Sequence, residues 1–219
     1  MNCPEAKKFR KEIMSDIKDL LDTIIQGDCL EVLKTFPDKS IDFCFADPPY
    51  GVNKAEWDKS YVSGYIKDLL RISKHGIAIT PGQNSVAQCI LEMGSEYKGI
   101  YAAFNKNGMT FSKVGFENWI LVILGGDIKR GQNACEFTIW GNTKPKHPSP
   151  KPIEFMLKII NRFTEKEWII LDPFLGSGTT AVACKKLGRH FIGIELNPEY
   201  IEMANKRLNF QMLSFEKEE

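Results

Sequence analysis

Apolar positions along this chain follow two rhythms: short unbroken runs with the length of buried strands, and stripes spaced three and four residues apart as on a helix. Residues 41–46 (Ile-Asp-Phe-Cys-Phe-Ala), 76–80, 168–171 and 191–195 are the clearest runs. Each stops at Gly, Pro or an acidic residue, as strands do. Between them, residues 61–73, 86–93, 152–163, 179–187 and 198–210 read as helices; the third carries Ile153, Met156, Leu157, Ile160 and Phe163 on one stripe. Residues 23–28 predict a short strand ending in a Gly-Asp turn, and residues 29–36 a short helix closed by Pro37. Residues 4–22, with Ile13, Ile17, Leu20 and Leu21 among charges, predict an outer helix. Residues 97–104 and 118–124 add two strands, residues 105–115 and 125–133 are loops, and the four prolines of residues 141–152 make that stretch extended. Strand, helix, strand in succession predicts an α/β fold: a single mostly parallel sheet with helices on both faces.

With 219 residues, 43% of them hydrophobic and 26% charged, the chain suits one packed domain over residues 23–210, flanked by the helix within residues 1–22 and a charged tail at 211–219. No apolar run approaches the ~20 residues of a membrane span, and the first eight residues lack the apolar core of a secretory signal. A cytoplasmic location is expected. Six scattered cysteines form no CxxC pair, and His75, His147 and His190 are dispersed, so neither zinc nor a disulfide framework is expected. The net charge of +1 hides an asymmetry: residues 98–151 hold eight Lys or Arg against three acids. A polyanion partner and an ordinary solvated face fit that excess equally well.

Chemistry concentrates in two loops. Asp47-Pro48-Pro49-Tyr50 follows the run 41–46, which puts it at a strand's carboxyl end, where open α/β sheets bind ligands. A carboxylate, a carbonyl beside a rigid Pro-Pro turn and an aromatic face suit a planar base with an exocyclic amine. A rigid turn with a capping Asp and a half-buried Tyr is the bland alternative. The second loop is Asp172-Pro173-Phe174-Leu175-Gly176-Ser177-Gly178-Thr179-Thr180, followed by a helix and by a strand whose tip is Glu195. Glycines let a ligand approach the backbone, and an acid at the next strand tip can accept from ribose hydroxyls. The string also satisfies the dinucleotide fingerprint, so a nicotinamide site is the rival reading of this unit taken alone.

Taken together, these motifs resemble the S-adenosylmethionine-dependent amino-methyltransferases that act on adenine N6 or cytosine N4 of DNA. The resemblance runs from about Ile24 to Leu208 and implies a Rossmann-like methyltransferase fold. It assigns catalysis to Asp47, Pro48 and Tyr50. It assigns S-adenosylmethionine to Asp172, Phe174, Gly176, Ser177, Gly178 and Thr179, with Glu195 at the ribose. Asp28 resembles the residue near the cofactor's adenine, although an Asp after Gly equally serves as a helix cap. His147-Pro148-Ser149-Pro150-Lys151-Pro152 is similar to the family's His-Pro-Thr-Gln-Lys-Pro, with Pro150 in place of Gln. The catalytic loop precedes the cofactor loop, as in the circularly permuted β class. That order makes topological sense if the strand ending at Asp172 lies beside the strand ending at Asp47.

The resemblance implies a DNA partner, as a duplex with a flipped target base, and a restriction-modification setting. Adenine N6 is the favoured target because family members with Asp in first position are more often adenine enzymes. Cytosine N4, an RNA or protein-glutamine amine, and a non-catalytic recognition subunit are the alternatives. Little sequence is left for a recognition domain. Loops 51–60, 105–115 and 125–133, with Lys129 and Arg130, are expected to meet DNA, Trp57 either joining them or covering the base pocket, with a homodimer or a specificity partner as a further source of selectivity.

Overall fold

In the computed structural model, residues 17–50, 62–105, 119–128, 134–137 and 151–215 are described. Among them eight strands form one sheet in the order β1-β8-β7-β2-β3-β5-β4-β6. The strands are β1 (Thr23–Gln26), β2 (Phe43–Ala46), β3 (Ile77–Ile79), β4 (Tyr97–Asn105), β5 (Trp119–Gly125), β6 (Ala134–Phe137), β7 (Ile169–Asp172) and β8 (His190–Glu195). All pairings are parallel except those of β5 with β3 and with β4. The helices are α1 (Cys29–Val32), α2 (Tyr65–Ile72), α3 (Val86–Met93), α4 (Ile153–Phe163), α5 (Thr179–Lys186) and α6 (Pro198–Phe215).

Strand alternation splits the core in two. Cys44, Ala46, Ile77, Ile79, Leu171, Ile192 and Ile194 face a cluster shared with α1, α2 and α3, among them Val32, Tyr65, Leu69 and Met93. Phe43, Phe45, Ala78, Ile170 and Phe191 point the other way, onto Phe155, Met156, Ile159, Ala183 and Ala204 of α4, α5 and α6. Because both faces are covered, the central strands read as unbroken apolar runs rather than alternating ones. The expected α/β architecture is therefore the observed one.

Chain order sets where a ligand can enter. The chain goes from β2 to its neighbour β3, then returns to place β7 on the other side of β2 and continues outward to β8. The sheet thus reverses direction between β2 and β7, which pair in parallel through Phe43 with Ile170 and Cys44 with Leu171. A crevice opens beyond the carboxyl ends at such a switch point. The strand ending at Asp172 lies beside the one that delivers Asp47, as the motif order implied.

Several boundaries differ from the sequence reading. Residues 29–36 form one α-helical turn and then a 3₁₀ turn (Leu33–Thr35). Helix α2 starts at Tyr65 rather than residue 61, after Gly64 in the left-handed region. Strand β6 was missed, being a four-residue edge strand paired parallel to β4. Helix α6 runs to Phe215, five residues into the stretch expected as tail. Of the expected N-terminal helix, Ile17–Leu20 form a 3₁₀ turn, and residues 1–16 lie outside the described residues, as do 216–219. No described helix is long and apolar enough to cross a membrane.

Candidate active site

A cavity of about 620 Å³ occupies the crevice and joins the two loops. Asp47, Pro48 and Tyr50 line one side. Asp28, Asp172, Phe174, Gly176, Ser177, Thr179 and Glu195 line the other. Gly178 is the exception. It precedes α5 with φ +82° and packs on α6, where an added Cβ would lie 2.8 Å from the Ala204 Cβ. Its lack of a side chain serves helix packing behind the wall.

Around Asp47 the loop is held by Tyr50 within it and by contacts from two distant segments. Its Oδ1 accepts from the Tyr50 hydroxyl (2.7 Å) and the Thr80 hydroxyl (2.7 Å), and the Lys151 ammonium donates to both Oδ1 and Oδ2 at 2.6 Å. Lys151 also donates to the Tyr50 hydroxyl and lies 4.9 Å from the Tyr50 ring centroid. Thr80 is placed by the sheet: it follows β3, and its amide donates to the Ala46 carbonyl at 2.9 Å. Lys151 immediately precedes Pro152, which opens α4. Tyr50 leans on Gly82, where an added Cβ would meet the tyrosine Cβ at 2.8 Å.

The opposite wall is organised by two carboxylates. Glu195 Oε2 accepts from the Gly176 amide and Oε1 from the Asn197 amide, both at 2.8 Å. A carboxylate offers about four acceptor positions, so each oxygen keeps one for a hydroxyl in the cavity. Asp172 is spent internally: Oδ1 accepts from the Phe174 amide (2.9 Å) and Oδ2 from the Thr180 hydroxyl (2.5 Å). Burial raises its pKa to about 7 against those two hydrogen bonds, with Asp47 and Glu195 adding to the rise. Asp28 Oδ1 accepts from the Leu30 amide at 2.9 Å, capping α1. The cap role is thus real, and the residue also reaches the cavity. Phe174 is set by the Tyr65 ring, edge-on at 5.1 Å between centroids.

A mostly parallel α/β sheet whose switch-point cavity carries an Asp-Pro-Pro-Tyr loop on one side and a glycine loop with an acidic strand tip on the other is the architecture of a Rossmann-like methyltransferase. Residues 95–206 match the family model described as DNA methylase, of the N6/N4 type. The type II methyltransferase M.HinfI of Haemophilus influenzae is 30% identical over 271 residues, spanning 88% of this chain and 70% of the relative. The type II methyltransferase M2.MboI of Moraxella bovis is 29% identical over 236 residues, spanning 84% and 86%. The crystal structure of the M1.HpyAVI–SAM complex superposes with a TM-score of 0.65 at 26% identity, covering 84% of this chain and 98% of that one. The chain belongs to the DNA methylase family and is an S-adenosylmethionine-dependent DNA amino-methyltransferase of the adenine-N6 or cytosine-N4 type.

The cavity residues fit that cofactor. Its volume lies in the range of small-molecule sites, the Phe174 ring and the Gly176 backbone border it, and Glu195 retains acceptor positions toward it. Thr80 and Lys151 were not singled out for the site from the sequence. The signal for Lys151 is its place in the His147–Pro152 motif, and the one signal for Thr80 is that it ends the strand next to the Asp47 loop. His147 to Pro150, Trp57, Lys129, Arg130 and most of the three loops expected to meet DNA lie outside the described residues.

Proposed function

We propose that the enzyme methylates adenine N6 in duplex DNA, taking the flipped base into the cavity beside Asp47 and Tyr50. What carries this reading is the shared cavity: the Asp47 carboxylate and the Glu195 strand tip border the same space. Bound S-adenosylmethionine supplies a methyl group made electrophilic by its sulfonium. The chain's residues do the rest.

An exocyclic aromatic amine is a poor nucleophile because its lone pair is delocalised into the ring. Asp47 Oδ2, whose described partner is Lys151 alone, has acceptor capacity left for one amine N–H, while Oδ1 is tied to Tyr50 and Thr80. The Pro48 carbonyl takes the second N–H. Two acceptors draw the amine toward a pyramidal geometry and free its lone pair. A hydrogen bond to a charged acceptor is worth about 1.5–3 kcal/mol. Holding amine and methyl in line removes on the order of 7–11 kcal/mol from the barrier. Lys151 orients Asp47, and Tyr50 stacks on the base for roughly 1–3 kcal/mol, comparable to the few kcal/mol of unstacking. Glu195 accepts from the cofactor's ribose, the Phe174–Gly176 loop holds its methionine part, and Asp28 meets its adenine end.

Adenine is placed ahead of cytosine because the tetrapeptide begins with Asp, the commoner form in adenine enzymes. The test is to incubate the protein with methyl-labelled S-adenosylmethionine and duplex DNA, digest to nucleosides and identify the label by mass spectrometry. Labelled N6-methyldeoxyadenosine is expected. Label in N4-methyldeoxycytidine moves the target to cytosine, and label appearing only with RNA or protein substrates overturns the DNA assignment.

A further inference from the structure

Behind the glycine loop lies a cation that the proposed reaction does not use. Arg207 projects from α6, one turn after Ala204, and its Nη1 donates to the Ser177 carbonyl (2.7 Å), the Ser177 hydroxyl (2.9 Å) and the Thr179 hydroxyl (3.2 Å). It is half-buried, burial lowers its pKa, and among the described residues no carboxylate pairs with it. A guanidinium taken from water without a counter-charge is unfavourable. Its three acceptors are neutral, and both hydroxyls belong to residues that line the cavity. Arg207 thus fixes, from behind the loop, two hydroxyls whose residues border the cavity.

We propose that Arg207 is a positioning residue that makes the glycine loop selective for a carboxylate-bearing ligand end. The inference rests on the reading that this loop holds the methionine part of the cofactor. In that arrangement the cofactor's carboxylate is the counter-charge, reached through the Ser177 and Thr179 hydroxyls that the guanidinium orients and polarises. Elsewhere, Lys39, Arg71 and Lys74 at the amino ends of β2 and β3 are matched by Asp38, Asp68, Asp42 and backbone carbonyls, Lys185 and His190 by Asp22, and Arg189 by acceptors of Thr164 and Leu187 that do not line the cavity.

The test removes the charge from the protein and the carboxylate from the ligand separately. Affinities of S-adenosylmethionine and decarboxylated S-adenosylmethionine are measured by calorimetry on wild type, Arg207→Met and Arg207→Lys. Decarboxylated S-adenosylmethionine keeps the sulfonium and ammonium, so only the carboxylate differs. In Arg207→Met the preference for the carboxylate-bearing ligand falls about five- to tenfold, as expected for one charge acting across a thin, partly hydrated loop. Arg207→Lys retains part of that preference. An unchanged preference in Arg207→Met, whether both ligands weaken together or neither does, overturns the proposal and leaves Arg207 a strut for the loop. A wild-type protein that binds neither ligand fails at the earlier step, the cofactor site itself.

Discussion

Lys151 Nζ lies 2.6 Å from both carboxylate oxygens of Asp47, a residue 104 positions away in the chain. The two side chains are only 11% and 20% exposed, so the pair is largely desolvated. Removing one member leaves the other charge poorly compensated, which for fully buried pairs is worth 3–5 kcal/mol. With this residual exposure, Lys151→Met is expected to lose about 1–3 kcal/mol in urea unfolding. The double variant Asp47→Asn/Lys151→Met should recover most of that loss, because the orphaned carboxylate is gone. A single variant as stable as wild type would mean the pair contributes nothing and that Lys151 does not hold Asp47.

Gly82 tests whether the Tyr50 ring position matters. Its backbone, φ −61° and ψ 156°, suits any residue, so the effect of Gly82→Ala comes only from the methyl pressing on Tyr50 at 2.8–3.2 Å. Shifting that ring also pulls its hydroxyl from Asp47. Turnover on DNA is expected to fall on the order of ten- to a hundredfold, with cofactor affinity and melting temperature close to wild type. Equal turnover would show that the base does not depend on Tyr50 as placed.

Asp172 predicts a pH dependence of stability. Its folded pKa, about 7, stands above the ordinary value of 3.8 because the group is buried. Below about pH 4 it is protonated in both folded and unfolded chains and has no effect. As pH rises toward 7 the unfolded chain releases this proton while the folded one keeps it, so stability falls across that window and levels off above it. Asp172→Asn removes this contribution. The amide can accept from the Phe174 N–H and donate to Thr180, whose hydroxyl then turns to Met156 Sδ, 3.7 Å away. The variant should match wild type near pH 4 and exceed it increasingly up to about pH 7, read as urea midpoints. A constant difference at every pH would place the ionised carboxylate outside the stability balance.

What the sequence disclosed follows from interaction range. The run 41–46, the Asp-Pro-Pro-Tyr loop and the glycine loop with Glu195 are local patterns, and each sits where its pattern placed it. The pairing of β2 with β7 was legible because motif order and the switch-point rule left few topologies. Thr80, Lys151 and Arg207 were not legible as members of the site. Each reaches it from a segment far along the chain through side-chain contacts, and no periodicity records such contacts. Strand β6 escaped because four residues, Ala134–Phe137, at a sheet edge carry too little alternation. Asp28 was balanced between cap and ligand contact because the two roles are compatible: one oxygen caps α1 while the residue still reaches the cavity.

The sharpest separation of binding from chemistry comes from Asp47→Ala. Losing a charged acceptor at the amine removes about 1.5–3 kcal/mol, a rate loss of roughly ten- to a hundred-and-fifty-fold from that bond alone, and misplacement of the amine adds to it. The Glu195 and glycine-loop wall is held by its own hydrogen bonds, Gly176 and Asn197 to Glu195 and Phe174 to Asp172, none of which involves Asp47. Affinity for S-adenosylmethionine should therefore stay within a few-fold of wild type. Because Lys151 loses its partner, circular dichroism on the same sample must show a folded protein. Methyl transfer at the wild-type rate would sink the role given to Asp47. A parallel loss of cofactor affinity would show instead that the two sides of the cavity are coupled through the β2–β7 junction.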